Sequence, residues 1–166
     1  FRKRDDLFSS IGEVPLESIE KEWEAQISKV QGAGIQPDHL DSHHHAHMLR
    51  PVLPLFLKLA RKYRLPVRLF GGEYLPGEYK DVVSPARFSG ALHGKGATAS
   101  TILELVEEGG GESLEIMTHP GYLDEAILKG SSYSMPRPRE LDQLTSPDLI
   151  LKLQNKGVEL VTFSQL

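Results

Sequence analysis

"DHLDSHHHAHMLRPVLPLFLKLARKYRLPVRLF" runs from Asp38 to Phe70, and the architecture of the chain turns on what it contains. In its middle Leu49, Val52, Leu53, Phe56, Leu57, Ala60 and Tyr63 recur at helical spacing. Pro51 and Pro54 fall in the first turns, where a missing N–H is best tolerated. The flanks read differently: "DHLDSH" is expected to be a short strand, and "LPVRLF" a buried one. A strand, a crossover helix and a second strand form a parallel unit.

Working outward, the same alternation continues. "LESIEKEWEAQISKV" places Leu16, Ile19, Trp23, Ile27 and Val30 on one helical face with charges opposite, and "QGAGIQP" ends it. "GGEYLPGEYKDVVSPARFSG" is a long irregular connection, a type that is often functional. "TASTILELVEEGGG" reads as a helix closed by glycines, and "SLEIMTH" as a strand stopped by Pro120-Gly121. In "TSPDLILKLQNKG" Ser146 is the expected N-cap, Pro147 the first helical residue and Gly157 the stop. "VELVTF" is expected to be a last strand. The order implies an α/β fold with parallel strands, layered or closed into a barrel, and 166 residues are most economically a single domain, 1–166.

Composition narrows the function. The formal net charge of -4 gives no electrostatic reason to expect nucleic acid as a partner. No apolar run approaches a membrane span, so no membrane partner is expected. With no cysteine there is neither a disulfide framework nor a thiolate site, which is compatible with the cytoplasm.

Chemistry concentrates in "HLDSHHHAH", His39–His47, which holds five of the chain's seven histidines. Continued as a strand, it would put His39, Asp41, His43, His45 and His47 on one face. Imidazole and carboxylate are the donors of Zn, Fe, Mn or Ni sites at neutral pH. If a helix starts earlier, His43 and His47 instead form an i, i+4 pair. A reactive centre, a metal site without chemistry and a solvated polar turn all fit these residue types. In parallel α/β folds sites gather at the carboxyl ends of strands, where His43–His47 would lie. His119, ending the "EIMTH" strand before a forced turn, would point to the same rim and can exchange a proton near neutrality. Arg68 interrupts an apolar strand and needs a partner, either a site carboxylate or a salt bridge in the core. His93 in "ALHGKG" reads as a loop residue, and Tyr74, Tyr79 and Tyr122 as loop tyrosines able to stack on sugar rings.

"HLDSHHHAHM", "EIMTHPG" and "RELDQLTSPDLI", in that order, resemble the YdjC-like carbohydrate deacetylase family, which includes chitooligosaccharide deacetylases. The resemblance runs from about Leu16 to the C-terminus. It implies a distorted (β/α) barrel of the polysaccharide-deacetylase type, here a partial one. It also implies a divalent metal, Mg²⁺ before Zn²⁺, and hydrolysis of N-acetyl groups from amino sugars or chitooligosaccharides. By this resemblance His43 matches the metal ligand and His119 the catalytic histidine. Asp41, His45, His47 and Arg68 take supporting or substrate-contacting roles. A homodimer is compatible with these expectations.

The family opens with a strand ending in an Asp-Asp pair and later adds a second metal histidine. Neither has a counterpart here, and Arg4-Asp5-Asp6 is no substitute. The chain is therefore expected to be the C-terminal two thirds of the family domain. A truncated homologue that binds metal or sugar without turnover, or a different metal-dependent hydrolase, is the alternative.

Overall fold

The computed structural model describes residues 14–70, 75 and 77–166. These residues fall into two compact units, 14–69 with 75, 77–84 and 162–166, and 70 with 85–161. Arg4–Asp6 and Tyr74 lie outside the described residues.

The first unit is built on two helices. Helix α1 (Leu16–Gly32) buries Ile27 and partly buries Trp23. Leu16 and Val30, at the two ends of the expected stripe, stay exposed. Helix α2 (Leu53–Tyr63) starts with proline in its first turn, as the sequence reading requires. It stops at Arg64, which takes a left-handed conformation (φ 54°). Phe56, Leu57 and Ala60 of α2 pack with Val67, Leu69 and Val82 into a core against which Trp23 and Leu40 rest. The Trp23 and Phe56 rings meet edge-on with centroids 5.4 Å apart. Lys58 and Lys62 of α2 pair with Glu20 and Glu24 of α1 along the rim of this contact.

The two strands expected beside α2 shrink to one parallel bridge between Leu40 and Val67. Its hydrogen bonds run from Leu40 N–H to the Pro66 carbonyl (2.8 Å) and from Arg68 N–H to the Leu40 carbonyl (3.2 Å). Pro66 has no N–H to extend the ladder, and the histidines beyond Leu40 leave the extended conformation. Val67 N–H donates to Val83 on the other side (2.9 Å).

The second unit contains strands β1 (Arg87–Ser89) and β2 (Leu114–Ile116), paired in parallel with Arg87 opposite Leu114. Helix α3 (Ala99–Glu108) is the crossover between them. Strand β1 lies inside the stretch expected to be an irregular connection. Thr98 caps α3, its side chain accepting from Thr101 N–H. Three further helices follow, α4 (Glu125–Gly130), α5 (Arg137–Leu144) and α6 (Pro147–Asn155). Leu92, Ile102, Leu149 and Leu153 form the core, with Leu103, Val106 and Ile116 against it.

Ser146 is the N-cap of α6 as expected, in extended conformation and without a capping bond from its side chain. "VELVTF" forms no strand; Leu160 and Val161 are exposed, and Phe163–Gln165 is a 3₁₀ turn. A strand needs a ladder partner, and among the described residues none pairs with this stretch. Helices α4 and α5 are too short, at six and eight residues, to show a clear periodic stripe, and α5 also opens among prolines. The α/β class with parallel pairing holds. No described helix is long and apolar enough to cross a membrane.

Candidate functional site

The histidine run neither continues as a strand nor forms a regular helix. His43–Met48 is a distorted 3₁₀ segment in which His44 (φ 54°, ψ 24°) and His45 (φ 56°, ψ 32°) are both left-handed. The odd-position face drawn for a strand therefore does not exist, nor does an undistorted i, i+4 pair. Two consecutive non-glycine residues in this region cost roughly 1–2 kcal/mol each, so their surroundings must hold them there.

His47 supplies that hold. It is fully buried, and its ring stacks on Phe56 with centroids 4.4 Å apart. Its Nε2 lies 2.9 Å from the Arg68 carbonyl oxygen. A carbonyl only accepts, so Nε2 carries the proton and Nδ1 is the acceptor. The Ser42 hydroxyl, 2.6 Å away, donates to Nδ1 and itself accepts from the His47 backbone N–H at 2.9 Å. Burial pushes the His47 pKa down from 6.5 to about 4, against the opposing pull of the Arg68 carbonyl. A neutral ring with both nitrogens engaged supports the segment from inside. Ser42, the other half of this lock, carried no signal in the sequence beyond its position before the run.

The lock leaves His43 and His44 exposed, their rings 4.2 Å apart, and His45 half-buried. His43 lines a cavity of about 460 Å³ with His39, Asp41, Ser42 and the apolar side chains Trp23 and Ile27. Asp41 pairs with Arg68 (Oδ2 to Nη1, 2.7 Å), which answers the Arg68 question with a carboxylate beside the run. His39 bonds Asp38 at 2.7 Å and stacks on Phe163 with centroids 4.1 Å apart.

His119 belongs to the second unit, three residues beyond the end of β2. Met117 N–H still donates to Ser89 (2.9 Å), so the turn starts from a fixed base. The His119 backbone N–H donates to Oε2 of Glu140 on α5. The Tyr133 hydroxyl donates to the other oxygen of Glu140, which is fully buried. Arg137 donates from Nε to the Tyr133 carbonyl (2.7 Å) and from Nη1 to the His119 carbonyl (3.4 Å).

His93 joins this group. Its ring stacks on Tyr133 at 4.2 Å and lies 6.2 Å from the His119 ring. Gly94 N–H donates to the Tyr133 hydroxyl at 2.8 Å. Tyr133 is pushed above the ordinary tyrosine pKa, first by burial and then by its bond to Glu140, so its hydroxyl keeps its proton. The tight turn after His93 depends on Gly96, where a Cβ would lie 2.2 Å from the Ala91 carbonyl oxygen.

Tyr133, Arg137 and Glu140 lie in "SSYSMPRPRE", to which the sequence assigns no fixed role. The available signal was in α5, where Arg137, Glu140 and Leu144 share one helical face, so the acid sits on the inward stripe. Among the described residues no three His, Cys, Asp or Glu side chains converge as a metal site.

The chain is similar to known proteins over most of its length. A carbohydrate deacetylase of Brevibacillus brevis is 40% identical over 99% of this chain, which covers 66% of that protein. A carbohydrate deacetylase of Geobacillus stearothermophilus is 37% identical, with 89% of this chain matched to 59% of the relative. The chain thus spans no more than about two thirds of the length of these relatives. A crystal structure from Enterococcus faecalis V583, of a protein proposed to cleave cellobiose phosphate, matches 94% of this chain and 64% of its own, with a TM-score of 0.83 and 34% identity. The model of the YdjC-like protein family matches residues 1–155, and the chain belongs to that family.

Proposed function

We propose that this chain is the larger part of an enzyme that hydrolyses N-acetyl groups from amino sugars or chitooligosaccharides. The observation that carries the proposal is the His119 turn, an imidazole held through its own peptide beyond a parallel strand. The curated relatives matched over nearly the whole chain are carbohydrate deacetylases. Breaking an amide requires the nitrogen to leave protonated, because an anionic amine is a prohibitive leaving group. His119 is the proton donor to the departing sugar amine. The fixed peptide limits the positions its ring can reach, which favours a productive geometry.

A divalent cation, Mg²⁺ or alternatively Zn²⁺, is part of the proposal. The donor chemistry fits: His43 presents an exposed imidazole beside the Asp41 carboxylate, whereas His47 is excluded by its two ring hydrogen bonds. The described residues do not complete a coordination set, so His43 supplies one donor. When bound, such a cation polarises a carbonyl and makes water a better nucleophile. Asp41 and Arg68 hold each other, and His45 and His47 shape the segment that presents His43. The partial (β/α) barrel and a cytoplasmic setting belong to the same proposal.

Acetate release from N-acetylglucosamine oligomers tests the activity. His119→Ala should lower kcat by about 100-fold or more, the usual scale of general acid catalysis, while KM changes little. Chelation should abolish turnover, with Mg²⁺ or Zn²⁺ restoring it, and His43→Ala should weaken that restoration. Sugar release from cellobiose phosphate without acetate release would replace the deacetylase reading with the activity proposed for the E. faecalis protein.

A further inference from the structure

The second unit contains a buried carboxylate to which the proposed reaction gives no direct part. Glu140 is fully buried, and desolvating a carboxylate is costly unless donors compensate. Its two oxygens take donors from two different segments, the His119 backbone N–H and the Tyr133 hydroxyl. The Tyr133 hydroxyl in turn accepts from Gly94 N–H at 2.8 Å. One chain of hydrogen bonds therefore runs from the His93 turn through Tyr133 and Glu140 to the His119 turn. Arg137, one helical turn before Glu140, closes the other side of the His119 peptide by donating to its carbonyl.

We propose that Glu140 is a positioning residue for His119, and that Tyr133 extends its hold to the turn carrying His93. The proposal rests on the reading that His119 acts on the substrate. A carboxylate suits the task because it accepts two hydrogen bonds at once, one on each oxygen. A glutamine would offer one oxygen and one NH₂ to two donors, and one link must break. His119 itself keeps its imidazole in that variant. Its ring would remain present while the peptide aiming it is released, and misplacement by about 1 Å can cost roughly 100-fold in rate.

The test uses Glu140→Gln and Tyr133→Phe in the natural protein, beside His119→Ala. Tyr133→Phe keeps the ring on which His93 stacks and removes only the hydroxyl. Glu140→Gln is expected to lower kcat by about 10- to 100-fold with KM within about twofold. Tyr133→Phe should lower kcat less, with the same split. The ¹⁵N–¹H signal of the His119 amide should move upfield in Glu140→Gln, because a hydrogen bond to a carboxylate is stronger than one to a neutral amide, and should also shift in Tyr133→Phe, where the carboxylate loses its second donor. This readout is independent of turnover.

Unchanged kcat and an unmoved His119 amide in both variants would overturn the proposal. So would a lowered melting temperature with kcat intact, which marks a merely structural role. If Glu140→Gln fails to fold, Tyr133→Phe decides by the same readouts. If His119→Ala keeps full activity, the reading of His119 as the acid falls. If His119→Ala is inactive while both other variants match the natural protein, only the positioning role falls.

Discussion

Lowering the pH should destabilise the first unit through His47. The ring is buried and neutral, with its pKa lowered from 6.5 to about 4. The unfolded chain binds a proton at that residue as the pH falls through 6.5, and the folded one does so only near 4. In that window the unfolded state holds more protons, so stability falls as pH falls, by about 1.4 kcal/mol per pH unit at most. Above the unfolded value the contribution is flat, and below the folded value it levels off again. Between about pH 7 and about pH 5 the expected loss is roughly 2 kcal/mol, a large share of the stability of a small unit. Trp23, the only tryptophan, rests on Phe56, which rests on His47. Its fluorescence in urea titrations at several pH values therefore reports this region. His47→Gln, which does not titrate, should be less stable at neutral pH but lose that slope. Carboxylate titrations occur in both proteins and cancel in the difference between them. If the two proteins lose stability in parallel from about pH 7 to about pH 5, the neutral buried ring is the wrong explanation.

Two further substitutions probe the turns that carry the histidines. Gly96→Ala should destabilise the chain by about 2 kcal/mol or more, since the new Cβ meets backbone 2.2 Å away; chemical denaturation measures it. At His44, Gly should be tolerated within about 1 kcal/mol, because relief of the left-handed strain offsets the greater freedom of the unfolded chain. Val at the same position should cost about 2 kcal/mol or more, and equal effects of the two changes would show that the backbone there is not strained.

The legible part of this fold was its helices. The periodic stripes of α2 and, apart from Leu16 and Val30 at its ends, of α1 face their core, while cap and stop residues mark α3 and α6. Strands were over-read, because an apolar run such as "LPVRLF" or "VELVTF" says nothing about whether a partner lies alongside. The histidine run drew attention for its composition, but composition could not reveal that His44 and His45 turn left-handed. That conformation depends on Ser42 and on the carbonyl of Arg68, a residue distant in sequence. Glu140 was hidden for a related reason. It is one acid among 23 acidic residues, and beyond its place on the inward stripe of α5 it is set apart by tertiary contact with His119 and Tyr133.

The pairing of β1 with β2 bears on the order of assembly. Each strand is three residues long, and the bond from Ala86 N–H to the Ser113 hydroxyl at their entry closes a loop of 27 residues. So few ladder bonds cannot repay the entropy of closing that loop unaided. Helix α3, already one packed wall of the Leu92 cluster, shortens the search once it has formed. The β1–β2 edge that leads to His119 is therefore expected to settle after α3, and the bonds that Glu140 and Arg137 make to the His119 peptide then fasten it.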